Sequence, residues 1–179
     1  SDNKCVAVLN GHTSYVNSVA KLNETTIISG SDDNTVRVWD LPSKSDNKCV
    51  AVLNGHTSYV NSGAKLNGTT IISGSDDNTV RVWDLGLGLN SNSNSRCVAV
   101  LRGHTRSVWS VLTLNETTII SGSWDNVIRV WDLPSKSCIA VLRGHGHLVY
   151  SVAKIDETTI LSGSDDHTIR IWDTKTGQL

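Results

Sequence analysis

Gly11 to Asp40, GHTSYVNSVAKLNETTIISGSDDNTVRVWD, decides the fold, because the chain returns to it three more times at constant length. The copies run Gly55 to Asp84, Gly103 to Asp132 and Gly144 to Asp173. His12 to Trp39, His56 to Trp83, His104 to Trp131 and His145 to Trp172 each span 27 residues. Cys5, Cys49, Cys97 and Cys138 each stand 35 residues before the closing aspartate. All length variation therefore falls in three linkers, Asp40 to Cys49, Asp84 to Cys97 and Asp132 to Cys138. Within a unit, Cys5 to Leu9 (CVAVL), Tyr15 to Leu22, Thr25 to Ser29 and Thr35 to Asp40 read as four short strands rich in β-branched and apolar residues. Thr35 to Asp40 alternates, with Val36, Val38 and Asp40 on one face and Thr35, Arg37 and Trp39 on the other. Ser31 to Asn34 is a tight turn in which Asp and Asn side chains satisfy backbone donors locally. No stretch shows helical periodicity, so the expectation is an all-β chain.

A Gly-His pair followed by a Trp-Asp pair, with periods of 44, 48 and 41 residues, is a repeat that stacks as propeller blades. At these residues the chain resembles the WD-repeat β-propeller family over nearly its whole length. The resemblance implies four-stranded antiparallel blades, four per chain, in one propeller segment spanning 1–179 with repeats at 1–44, 45–92, 93–133 and 134–179. It also implies a buried hydrogen-bonded tetrad in each blade. The matching sets are His12, Ser29, Asp33, Trp39; His56, Ser73, Asp77, Trp83; His104, Ser121, Asp125, Trp131; and His145, Ser162, Asp166, Trp172. By the same resemblance, the first strand of each sequence unit is the outermost strand of the preceding blade. Cys5 to Leu9 is then left over, and the chain stops near Leu179, where another outer strand would begin.

Formal net charge is −1, which offers no general attraction to nucleic acid or to an anionic membrane. No apolar run approaches a membrane span. The four cysteines recur once per repeat and never as Cys-x-x-Cys, so they read as apolar strand residues rather than as a zinc site or disulfides. Unpaired thiols fit a reducing, cytoplasmic setting. The opening Ser1 to Lys4 repeats Ser45 to Lys48, as a cut inside a linker of a longer array would. The linker Leu85 to Arg96 (LGLGLNSNSNSR) is Gly/Ser/Asn-rich and reads as a mobile loop.

Ser, His and Asp recurring together suggest a hydrolase triad only at first sight. The set occurs four times, no Gly-x-Ser-x-Gly elbow is present, and each serine is expected to share its hydroxyl with a tryptophan indole. His145 and His147 form a His-x-His pair, but His145 is claimed by its tetrad and no third ligand has metal spacing. Asp32-Asp33, Asp76-Asp77 and Asp165-Asp166 lack the spacing of a calcium loop, and there is no phosphate-cradling glycine run. No catalysis, metal or cofactor is expected.

The aromatic residues outside the tetrads carry the functional signal. They are Tyr15, Tyr59, Trp109, Trp124 and Tyr150. Aligned on the histidines, Tyr15 and Tyr59 match Ser107 and Leu148, whereas Trp109 and Tyr150 match Asn17 and Asn61. Trp124 precedes its tetrad aspartate where Asp32, Asp76 and Asp165 stand in the other units. The family resemblance places all of these on one rim of the channel, with Arg106 and His147 opposite Ser14 and Ser58. The plain alternative is packing between blades. The expected function is a protein- or peptide-binding scaffold, with Trp109, Trp124, Tyr150 and Arg106 as the main patch and Leu148, His147 and Asp165 beside it. Tyr15, Tyr59, Asp32 and Asp76 would form a weaker copy. A carbohydrate-binding propeller and a structural segment of a larger multidomain protein are the alternatives.

Four blades closing alone would turn about 90° at each step, against about 45° for eight. The expectation is a homodimer forming one eight-bladed ring, with Cys5 to Leu9 of each chain finishing the other's last blade. Repeats one and two are near duplicates, differing between 1–41 and 45–85 only at Val19/Gly63 and Glu24/Gly68. Gly63 in a strand is expected to be unfavourable by about 1 kcal/mol relative to valine.

Overall fold

The recurring segment Thr26-Ile-Ile-Ser-Gly-Ser31, Thr-Ile-Leu-Ser-Gly-Ser in the fourth unit, forms the spine of each blade, a short apolar and small-residue run flanked by a strand on each side. A computed structural model describes residues 4–41, 48–86 and 96–175. Its first sheet contains β1 (Val16–Lys21), β2 (Thr26–Ser31), β3 (Val36–Asp40) and β4 (Lys48–Leu53) in that spatial order. The second contains β5 (Val60–Lys65), β6 (Thr70–Ser75), β7 (Thr79–Asp84) and β8 (Arg96–Arg102). The third contains β9 (Val108–Thr113), β10 (Thr118–Ser123), β11 (Ile128–Asp132) and β12 (Ser137–Leu142). The fourth has three strands among the described residues, β13 (Val149–Lys154), β14 (Thr159–Ser164) and β15 (Ile169–Asp173). All pairings are antiparallel, and the fold is all-β with four propeller blades.

Each outer strand comes from the following repeat, so the chain stitches one blade to the next. Val36 faces Leu53 and Val38 faces Ala51 across β3 and β4, with a one-residue shift before Trp39 meets Cys49. The same shift recurs between Val82 and Trp83 and between Val130 and Trp131. Neighbouring blades then pack face to face. Val36, Val38, Ala51 and Leu53 of the first blade meet Val60, Ile71 and Trp83 of the second. Val80, Val82 and Leu101 meet Val108, Ile119 and Trp131 in the same way, and Ile128, Val130 and Leu142 meet Val149, Ile160 and Trp172. The approach is close enough to require glycine. A Cβ on Gly74 would stand 2.7 Å from Val108 Cγ1, and one on Gly122 would stand 2.8 Å from Val149 Cγ1.

Three expectations need correction. Cys5 to Leu9 forms no strand and is largely exposed: its counterparts pair with the third strand of the preceding blade, and among the described residues it has no such strand beside it. The strand expected over Thr25 to Ser29 spans Thr26–Ser31 instead, since Gly30 and Ser31 still pair with β1. The linker after Asp84 is not loop throughout: Leu85 is buried in the core between blades one and two, its amide bonded to the Thr69 carbonyl, and Arg96 opens β8. Residues 87–95 lie outside the described residues. Within Thr35 to Asp40, Val36, Val38 and Trp39 are buried, whereas Thr35, Arg37 and Asp40 are half-buried.

Candidate functional site: tetrads and the rim they hold

The turn between the second and third strands of each blade is shaped by residues in left-handed conformation: Asn34 (φ 69°), Asn78 (φ 68°), Asn126 (φ 70°) and His167 (φ 66°). Asparagine tolerates this region better than most side chains. Just before it, Asp33 caps the turn by accepting the Thr35 amide and hydroxyl at 3.0 and 2.6 Å on Oδ1. Its other oxygen accepts the His12 ring N–H at 2.7 Å and the Thr13 amide at 3.1 Å. One carboxylate thus ties the turn to the loop that enters the blade.

From His12 the network continues inward. Ser29 Oγ lies 2.7 Å from His12 Nε2 and receives the Trp39 indole N–H at 2.8 Å. With Nδ1 donating to Asp33, Nε2 must accept the serine hydroxyl proton, so the His12 ring nitrogens, the Ser29 hydroxyl and the Trp39 indole N–H each find a partner. The same connections join His56, Ser73, Asp77 and Trp83; His104, Ser121, Asp125 and Trp131; and His145, Ser162, Asp166 and Trp172. The four serines are fully or nearly buried, and both functions of each hydroxyl are used.

The electrostatics follow. Burial alone would raise the Asp33 and Asp77 carboxyls, but the hydrogen bonds they accept from Thr35 and His12, and from His56 and Thr79, outweigh it and hold both well below the ordinary carboxylate range. Asp125 is lowered in the same way, against its burial, chiefly by His104. Asp166 is lowered first by the Thr168 hydroxyl, with burial opposing and His145 and two amides adding. Burial lowers His56, partly offset by Asp77, and keeps that ring neutral.

The rim lies on this frame. In every blade the residue before the tetrad aspartate donates its amide to the carbonyl three residues after the histidine: Asp32 to Tyr15, Asp76 to Tyr59, Trp124 to Ser107 and Asp165 to Leu148, at 2.9–3.0 Å. The two rim positions compared in the sequence are therefore side by side. In blades one and two the side chains there form a polar pair. Asn17 Nδ2 donates to Asp32 Oδ1 and Asn61 Nδ2 to Asp76 Oδ1, the latter at 2.7 Å, and both reach on to a carbonyl of the next blade, Val60 or Val108.

Blade three replaces both members at once. Trp109 stands for Asn and Trp124 for Asp, and their rings stack at 4.8 Å and 18°. Tyr150 of blade four closes on them edge-first, at 5.8 Å from Trp109 and 6.2 Å from Trp124. Beside this cluster an open depression of about 470 Å³ is lined by Arg106, Trp124, Asp125, Asn126, His147 and Leu148. His147 pairs with Asp165 at 2.8 Å on its exposed side. The Trp124 indole N–H is buried and has no partner among the described residues. Tyr15 and Tyr59 are more exposed than the half-buried Trp109 and Trp124. The coupled exchange of Asn–Asp for Trp–Trp was not read from the sequence, although aligning the repeats shows both replacements falling in the same unit. Asn126 of the depression carries no sequence signal beyond its turn.

Among the described residues no cluster of three or more His, Cys, Asp or Glu could hold a metal, and no helix is long and apolar enough to cross a membrane. The cysteines are free, Cys5 exposed and the other three half-buried. Residues 3–40, 47–84, 95–132 and 136–173 each match the family described as WD domain, G-beta repeat. The chain is also similar to the probable E3 ubiquitin ligase complex SCF subunit sconB of Aspergillus clavatus, 44% identical over 45 residues. That match covers 25% of this chain and 6% of the relative's length. With four family matches in register with four blades, the chain belongs to the WD-repeat family.

Proposed function

We propose that the chain is a non-catalytic scaffold that binds a protein or peptide through the rim between blades three and four. The observation that carries this reading is the joint replacement at Trp109 and Trp124. Where blades one and two carry the Asn17–Asp32 and Asn61–Asp76 pairs, blade three carries an aromatic cluster, and that cluster borders a depression holding Arg106, His147 and Leu148. Trp, Tyr and Arg are the residues that dominate protein interfaces. The Asp165 carboxylate beside His147 and the Asp125 side of the depression suit a partly apolar segment with a basic group. The relative's description as a subunit of a ubiquitin ligase complex is in keeping with a role among other proteins. The free thiols suit an intracellular setting.

The test restores the polar pair of the first two blades. Trp109→Asn with Trp124→Asp has a folded precedent twice in the same chain, so β-sheet content is expected to persist while capture of partners from lysate is lost. Unchanged capture would move the binding surface elsewhere. Capture that simple sugars compete away would favour a carbohydrate-binding rim instead.

A second reading concerns assembly: four blades closing alone would turn about 90° at each step against about 45° for eight, which favours two chains joined as one eight-bladed ring. A solution mass of two chains is expected, and a monodisperse single chain would refute it.

A further inference from the structure

The turn joining the first two strands of each blade is written four ways: Asn23-Glu24-Thr25, Asn67-Gly68-Thr69, Asn115-Glu116-Thr117 and Asp156-Glu157-Thr158. In every blade the first residue's side-chain oxygen accepts the amide two positions on, that of Thr25, Thr69, Thr117 or Thr158, at 2.8–3.0 Å. The turn therefore calls on a carbonyl or carboxylate oxygen, and the aspartate of blade four serves as the asparagines do. There the Thr158 amide holds the Asp156 carboxyl below the ordinary carboxylate range.

Blade two alone combines an asparagine in this turn with a following glycine. Asn67 and Gly68 are both exposed, and a Cβ on Gly68 would meet no atom within 4 Å, so the backbone nitrogen after Asn67 is open to approach. The Gly68 amide has no hydrogen-bond partner among the described residues. Asn67 Oδ1 accepts a second amide, Thr70, at 2.9 Å beside Thr69 at 3.0 Å. Two N–H groups aimed at one carbonyl oxygen stabilise the negative charge that builds on it when a nucleophile attacks its carbon.

The other two Asn-Gly pairs, Asn10-Gly11 and Asn54-Gly55, sit differently. A Cβ on Gly11 or Gly55 would stand 2.6 or 2.8 Å from Arg37 Nη1 or Arg81 Nη1, and 3.1 Å from the Trp39 or Trp83 ring. Both glycines lead directly into His12 and His56, which the tetrads hold. Turning the peptide after the asparagine so that its nitrogen meets Cγ would displace this packing. Asn54 Nδ2 is also engaged, donating to the Val52 carbonyl at 3.4 Å.

From this geometry we propose that Asn67 is a deamidation site, with water as its only co-reactant. The Gly68 nitrogen gives its proton to solvent and bonds to Asn67 Cγ. The Cγ–Nδ2 bond breaks, and Nδ2 leaves as ammonia with a proton from water. Water then opens the five-membered succinimide at either carbonyl carbon, and its proton returns to the ring nitrogen. Opening at Cγ gives aspartate; opening at the main-chain carbonyl carbon gives isoaspartate, in which the chain runs through Cγ. Nothing is oxidised or reduced, and one negative charge is added to a chain of formal charge −1. The aspartate reproduces the Asp156 turn, whereas isoaspartate lengthens the main chain by one carbon between β5 and β6 and moves the acceptor that Thr69 and Thr70 use. Val60 pairs with Ser75 at the rim end of these strands and Lys65 with Ile71 at the turn end, so the rim is left as it is.

The full chain is held in mildly alkaline buffer, digested at intervals and mapped by mass spectrometry for amide-to-carboxylate exchange at Asn10, Asn54 and Asn67. Exchange at Asn67 is expected to run about tenfold or more ahead of the other two, with aspartate and isoaspartate separated as its products by chromatography. Gly68→Glu, the residue of the other three blades, is expected to suppress it by a similar factor with β-sheet content unchanged. In urea the three sites are expected to exchange at comparable rates, because the packing that restrains Asn10 and Asn54 is gone. Exchange at Asn10 or Asn54 that matches Asn67 in the folded chain overturns the proposal, as does an Asn67 that stays intact or exchanges undiminished in Gly68→Glu. A lead for Asn67 that persists in urea overturns the role given to the fold.

Discussion

Replacing Gly63 by valine should stabilise the protein, and the structure supplies the reason in some detail. Gly63 sits in β5 opposite Ser73, where blades three and four have Val111 opposite Ser121 and Val152 opposite Ser162. Those valines pack onto the glycine of the preceding blade: a Cβ on Gly74 would lie 2.9 Å from Val111 Cγ1, and one on Gly122 would lie 3.2 Å from Val152 Cγ1. Around Gly63 itself there is room, since a Cβ would meet only Ile28 Cδ1 at 3.5 Å, the Ile72 carbonyl at 3.6 Å and Ser18 Oγ at 3.9 Å. The vacancy has a polar consequence too. Ser62 and Ser110 accept the amides of Val111 and Val152 at 3.1 and 3.2 Å, whereas the equivalent Ser18 hydroxyl is buried without a partner. Burying a valine is worth roughly 1.5–3 kcal/mol. Area-based figures are upper bounds and ordering the side chain opposes them, so a net gain of about 1–2 kcal/mol is expected. For a chain of this size that raises the thermal midpoint by roughly 2–8 °C. Calorimetry of Gly63→Val against the parent measures it, with Gly74→Val as the opposite control, because its Cβ would collide with Val108. A midpoint unchanged or lowered by Gly63→Val would show that the gap between blades one and two is not a packing defect.

Ser121→Ala should destabilise by about 2–4 kcal/mol, because it strands both the Trp131 indole N–H and His104 Nε2 in a buried site; a urea midpoint within error of the parent would show that the tetrad contributes little. The pH dependence has a fixed sign. Asp33, Asp77, Asp125 and Asp166 are held below the ordinary value of 3.8, so their stabilisation is complete above it and is lost as pH falls below it through their folded-state range. His56 is held below 6.5, so its share is present above that value and declines as pH falls from it. The urea midpoint at constant ionic strength should therefore fall gently from neutrality and steeply below about pH 4; a midpoint that rises on acidification would refute the assignment.

The sequence by itself determined the repeat unit, the strands within it and the tetrads, because these depend on spacing inside one segment of constant length. His12, Ser29, Asp33 and Trp39 recur in register whatever surrounds the blade, so their resemblance to a known pattern carries over residue by residue. It also singled out the positions that the structure sets side by side, Asn17 with Asp32, Asn61 with Asp76 and Trp109 with Trp124. What it did not determine was which side chains meet across blades. Asn17 reaching Val60, Trp109 stacking on Trp124 and Tyr150 closing on both depend on how adjacent sheets are set, and no local period encodes that. The state of KCVAVL shows the limit most directly. At 48–53 it is a strand and at 4–9 it is not, since a strand's hydrogen bonds are made with a neighbour, and only the tertiary structure decides whether a neighbour is there.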